Sequence, residues 1–151
     1  MRKSVFVPLL IAAVGLAACD DDDPTGPEQE TFTATLTGAA ERPNPVTTDA
    51  TGTATLVFNP STSTFSYTLN VSNITAMTGA HIHGPASVNE PAGILVPLTT
   101  PTGASVTGTF TSITGVTLST FLSHLRGGMT YVNVHTEANG AGEIRGQLTQ
   151  Q

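Results

Sequence analysis

From Thr31 the chain settles into a period of two. Phe32, Ala34 and Leu36 alternate with Thr33, Thr35 and Thr37, which predicts a half-buried first strand ending at Gly38. Ala39 to Ala50 carries two prolines and no periodicity, so it reads as a loop. Alternation returns over Thr51 to Asn59, with Ala54, Leu56 and Phe58 on one face, and again with Phe65, Tyr67, Leu69 and Val71. Asn59-Pro60-Ser61-Thr62 between them is turn chemistry, which predicts a hairpin. Shorter strands follow at Gly79 to Gly84, Ile94 to Leu98, Val106 to Ile113, Met129 to Thr136 and Gly142 to Thr149. The last two flank a loop around Asn139-Gly140, longer than a two-residue turn. One stretch changes period. Leu118, Phe121, Leu122 and Leu125 fall at i, i+3, i+4 and i+7, the apolar stripe of a short helix with Thr117 as N-cap, Gly127 as stop and His124 off the stripe, toward solvent. Eight short strands and one helix predict an all-β, antiparallel Greek-key sandwich or barrel.

The pattern before Thr31 is of another kind. Arg2 and Lys3 precede an apolar run from Val5 to Leu16, and the run ends in Leu16-Ala17-Ala18-Cys19. A positive start, a short apolar stretch and small residues at the cut describe a secretory signal over residues 1–18, too short to span a bilayer. Asp20 to Asp23 repel one another, and Pro24 and Pro27 stop regular structure, so residues 19–30 read as a solvated acidic tether to a domain over residues 31–151.

Charge removes whole classes of function. The chain has 5 basic residues against 11 acidic ones, and without Arg2 and Lys3 the balance is 3 against 11, a formal −8. Three scattered arginines give no footprint for nucleic acid or for an anionic lipid surface. The single cysteine excludes an internal disulfide. No serine sits in a G-x-S-x-G elbow, and no glycine loop is placed to cradle phosphate. Glu41, Asp49, Glu90, Glu137 and Glu143 lie in unrelated contexts, so no carboxylate pair for glycoside hydrolysis can be picked out. No catalytic residue is assigned.

What remains is one polar face. If Ala80 and Ile82 point to the core, His81 and His83 point away from it; likewise Val132 and Val134 leave Tyr131, Asn133 and His135 outside, and Ile144, Gly146 and Leu148 leave Glu143, Arg145 and Gln147 outside. The expectation is an exposed polar patch on three strands. Two imidazoles at i, i+2 with a third from another strand can hold copper or zinc. The same residues can equally form a cross-strand hydrogen-bond network that fixes register. The pattern requires no cofactor, and copper or zinc is the candidate it allows.

Several of these residues stand in motifs. Leu36, Gly38, Glu41 and Pro43 open the domain as L-x-G-x-x-E-x-P; A-H-I-H-G-P-A runs from Ala80 to Ala86, Y-V-N-V-H-T from Tyr131 to Thr136 and G-E-I-R-G-Q from Gly142 to Gln147. In this order the chain resembles the chordin (CHRD) domain family. The resemblance implies an immunoglobulin-like sandwich and, for bacterial members, a secreted or lipid-anchored lone domain; the signal, the acidic tether and the lack of a catalytic set lead to the expectation of a non-enzymatic binding or structural module. L-A-A-C similarly resembles the lipobox of bacterial lipoproteins, which implies a lipid on Cys19, attachment through it to the membrane, and a place in the bacterial cell envelope, periplasmic or at the surface. The partner implied is an extracytoplasmic protein or small ligand. A weaker resemblance to copper/zinc superoxide dismutase would make His81, His83 and His135 copper ligands and Arg145 a guiding arginine, although the bridging histidine, zinc cluster and cysteine pair of that family have no counterpart.

Overall fold

The computed structural model describes residues 27–151. The expected signal peptide, Cys19 and the tether up to residue 26 lie outside the described residues. No described helix is long and apolar enough to cross a membrane.

Among the described residues the strands are β1 (Glu30–Thr37), β2 (Thr51–Asn59), β3 (Thr64–Ser72), β4 (Met77–His83), β5 (Ile94–Leu98), β6 (Ser105–Phe110), β7 (Tyr131–Thr136), β8 (Ile144–Gln147) and β9 (Thr149–Gln150), with one α-helix, α1 (Leu118–Arg126). All pairings are antiparallel. They trace one sheet in the order β5-β4-β7-β8-β1-β2-β3-β6, with β9 beside β1. The two ends of this path come close. Thr114 N–H donates to the Leu95 carbonyl at 2.8 Å, and Thr99 N–H donates to the Tyr67 hydroxyl at 2.9 Å, so the sheet is nearly closed into a barrel.

Period two explains the interior. Phe32, Leu36, Leu56, Phe65, Leu69, Ile82, Val134 and Ile144 are all essentially inaccessible and form one core. The β2–β3 hairpin pairs residue for residue from Thr51↔Ser72 to Asn59↔Thr64, as its turn predicts. Thr117 caps α1 by accepting from Thr120 N–H, and Gly127 ends it. The helix lays Phe121, Leu122 and Leu125 over one end of the core, where the Phe121 ring meets Phe65 edge-on at 5.3 Å. His124 is half-buried, not exposed as expected.

Two further expectations are corrected. The last strand is not continuous: Leu148 N–H leaves the sheet to bond the Thr130 carbonyl at 2.9 Å, which divides the segment into β8 and β9 and makes nine strands among the described residues. Gly146 has no room for a side chain, because a Cβ there would collide with the Thr35 carbonyl on β1. The larger correction concerns the polar patch. His83, Tyr131, Asn133, Glu143 and Arg145 point away from the core as predicted, yet they are buried, Arg145 at 2 % exposure. Alternation fixes which way a side chain points; two loops, 38–47 and 84–93, decide what it meets there.

Candidate functional site

The site is built on three neighbouring strands in fixed register. Across β4, β7 and β8 one row reads His81, Asn133, Arg145 and the next reads His83, Tyr131, Gln147; Gly79 stands opposite His135. The period of two puts all of these side chains on one wall. Gly79 makes space, since a Cβ there would lie 3.1 Å from His81 Cε1 and 3.8 Å from His135 Cδ2.

The three imidazoles meet. Ring centroids are 4.9 Å apart for His81 and His135, 5.6 Å for His81 and His83, and 5.9 Å for His83 and His135. Each ring offers one nitrogen to a common space, and these atoms all lie within 4.8 Å of one another. His83 is buried, and its two companions are half-buried at the rim.

Hydrogen bonds fix two of the tautomers. His83 Nδ1 is 3.0 Å from the Ala92 carbonyl and His135 Nδ1 is 3.2 Å from the Gly140 carbonyl. A carbonyl only accepts, so Nδ1 carries the proton in both rings and Nε2 keeps its lone pair. Those two Nε2 atoms and Nδ1 of His81 are buried without a hydrogen-bond partner. Left so, each costs roughly 1–3 kcal/mol of desolvation. Burial, aided by the neighbouring His135, holds the His81 pKa below the ordinary histidine value; burial also lowers His135 and takes His83 down to about 4. The three rings are therefore neutral bases at neutral pH.

The supports reach further along the wall. The His83 ring lies flat on Tyr131, 5.0 Å between centroids and 5° between planes. The Arg145 guanidinium carbon sits 3.5 Å from the centre of the same Tyr131 ring. A buried cation over an aromatic face is worth on the order of 2 kcal/mol. The same side chains hold loop 84–93 by its backbone. Ala92 N–H donates to the Tyr131 hydroxyl at 3.0 Å, Arg145 donates to the Ser87 carbonyl at 3.0 Å, and Gln147 donates to the Ala86 carbonyl at 2.8 Å. Arg145 thus departs from the guiding role implied by the dismutase resemblance: it is sealed under the loop it anchors and presents no charge to solvent.

Glu143 parts from the group. Its carboxylate accepts from the Thr136 hydroxyl at 3.0 Å and from the Asn139 amide, and so closes the loop between β7 and β8. Hydrogen bonds, first from Thr48, hold its pKa below the usual carboxylate range. Glu41 takes the central place instead. It is 3 % exposed and accepts from Asn133 Nδ2 at 3.2 Å, while its second oxygen and Asn133 Oδ1 lack partners. Burial pushes its pKa up to about 7. Gly142, at φ +144°, leaves the space, for a Cβ would stand 2.6 Å from both Glu41 Oε2 and Asn133 Oδ1. Periodicity cannot find Glu41, because it lies outside any strand; its place in the opening motif with Leu36, Gly38 and Pro43 is the one signal.

A family model described as the CHRD domain matches residues 32–148, most of the chain and all of the elements that build this site. No curated protein and no solved structure matches the chain.

Proposed function

The chain belongs to the CHRD domain family, and from that premise we propose that it is a non-enzymatic binding module held at the cell envelope by a lipid on Cys19. The observation that carries the binding role is the histidine pocket: three imidazoles converge, each with a buried nitrogen that lacks a partner, and main-chain carbonyls brace the rings of His83 and His135, with Tyr131 stacked on His83. A wall fixed in this way pays little ordering cost when a ligand arrives, which is what preorganised sites have in common. The partner is a small ligand seated at His81, His83 and His135, and the acidic segment from Asp20 to Glu30 sets the domain off from the membrane. The non-enzymatic reading is supported by the hydrogen bonding of His83 and His135, whose partners are main-chain carbonyls rather than a hydroxyl or thiol to activate. The Greek-key arrangement is supported by the strand order, which sets β3 beside β6 and β4 beside β7; the two four-strand runs on either side of the β8–β1 junction are what supports a sandwich description.

Two experiments test this. Growth with a palmitate analogue should label the protein and leave it in the membrane fraction, and Cys19→Ala should release it unlabelled. An unlabelled protein that still sediments with membranes sinks the anchor. For the pocket, the imidazole resonances of His81, His83 and His135 should shift when the purified chain meets the low-molecular-mass filtrate of its own envelope fraction. Resonances that stay still sink the binding role.

A further inference from the structure

We propose that the ligand of this pocket is a divalent transition-metal ion, copper or zinc, bound by Nδ1 of His81, Nε2 of His83 and Nε2 of His135. The inference rests on the binding role above and names its chemistry. Among the described residues, these three histidines bring three metal-competent side chains together. Its donors are all imidazole, a set that suits copper and zinc and offers neither the oxygens that calcium and magnesium require nor a thiolate.

The geometry asks for little movement. Zinc binds imidazole nitrogen at about 2.0–2.1 Å, so nitrogens on one ion stand roughly 3–4 Å apart. The rings offer nitrogens within 4.8 Å, and His81 and His135 lie at the half-buried rim, where side chains can swing by the remaining ångström or so. Three ligands leave one position for water or another small donor. The outer nitrogens complete the pattern. A ligating histidine commonly donates its second N–H to a carbonyl or carboxylate, which orients the ring and raises its basicity. His83 does so to Ala92 and His135 to Gly140. A plain structural network would run the other way: it would pair the inward nitrogens with one another or with Asn133, and those are the atoms that lack partners.

The test uses the full chain in detergent, stripped with a chelator and titrated at pH 7.5 with Cu(II) and separately with Zn(II). The expected result is one ion per chain at micromolar or tighter affinity, copper above zinc as the general order of divalent stabilities requires. His81→Ala and His135→Gln change half-buried positions, and each should weaken binding at least 10-fold while the far-ultraviolet circular dichroism holds. Pulsed electron paramagnetic resonance of the copper form should report coordinated imidazole, lost in part in each variant. The proposal is overturned if neither ion binds, or if both variants bind as the parent does, which would place the metal elsewhere, as on Asp20 to Asp23. The envelope filtrate separates the two readings. If it still shifts the three imidazole signals after passage over a chelating resin, while added copper and zinc do not, the pocket binds something else and only the metal falls. If nothing moves them, both readings fall.

Discussion

The two halves of the sheet share one interior and differ in what covers the outside. On β1, β2, β3 and β6 the outward positions run Thr35, Thr53, Asn70, Ser105 in one row and Thr33, Thr55, Thr68, Thr107 in the next, without a charge among them. They lie at or near solvent. On β4, β7 and β8 the outward positions hold three histidines, Tyr131, Asn133 and Arg145, and loops 38–47 and 84–93 close over all but His81 and His135 at the rim. The alternation is the same in both halves. A polar side chain facing out from a strand is harmless in water and costly under a loop unless it finds a partner. The first half can therefore be built from interchangeable threonines, while the second needs each residue to fit its neighbour.

The junction of the halves should be the most sensitive point. Gly146 on β8 lies against the Thr35 carbonyl of β1, and backbone cannot yield as a side chain tip can. Gly146→Val should cost at least about 4 kcal/mol in denaturant unfolding, at the upper end of single-site effects. Gly93→Ala, where a Cβ meets nothing within 4 Å, should stay within about 0.5 kcal/mol. Equal losses at the two sites would show that close approach at the junction does not matter.

Acid should divide the halves next. In the metal-free protein His83 titrates near 4, below its ordinary 6.5, so the unfolded chain takes the proton first; the stability it contributes is complete above 6.5 and is lost as pH falls toward 4. Glu41 has the opposite sign. Its folded pKa of about 7 stands above 4.5, so its contribution is complete below 4.5 and is lost as pH rises toward 7. Between 4.5 and 6.5 the two slopes oppose. Glu41→Gln keeps an acceptor for Asn133 and removes one of them. Its stability should rise with pH more steeply than the parent's, by up to about 3 kcal/mol across the window. Parallel curves from urea melts at pH 4.5, 5.5 and 6.5 would dismiss the buried acid.

How much of this the sequence discloses depends on the same divide. Strand positions, the hairpin, the capped helix and the inward residues are read from period two and period 3.6, because local rules decide them. His81, His83 and His135 share a wall for the same reason, and the structure brings them together. Burial of that wall is not local. It depends on where Pro43 to Thr47 and Pro85 to Ala92 come to rest, and loops carry no period. Glu41 escapes periodicity on that account. So do the roles of Arg145 and Gln147, whose partners are main-chain carbonyls 58 and 61 residues away in sequence. A main-chain carbonyl has no residue identity, so such partners leave no trace in the sequence.

Arg145→Met tests the cover itself. Methionine keeps apolar contact with Tyr131 and discards both the cation over the ring and the bond to the Ser87 carbonyl. The stability loss should be about 2 kcal/mol. Amide exchange should quicken in residues 85–92 and stay unchanged in β2 and β3. A uniform quickening would mean that Arg145 serves the whole fold rather than the loop.

The smallest effect belongs to the open half. Thr53 is exposed in the middle of β2, beside Thr35 and Asn70, and its hydroxyl accepts one bond, from Asn70 Nδ2 at 3.4 Å. Water replaces that bond when the hydroxyl goes, so Thr53→Ala loses little beyond strand propensity, whose whole scale spans about 1 kcal/mol. A change of roughly 0.5 kcal/mol is expected, with no shift in the imidazole resonances of the other half. Asn133→Ala makes an equally local change on a strand of the same sheet, but it strips the partner from a buried carboxyl that water cannot reach. It should cost several times more. If the two substitutions prove equal, the loops over the second half admit water, and the unpartnered imidazole nitrogens lose their claim to be waiting for a ligand.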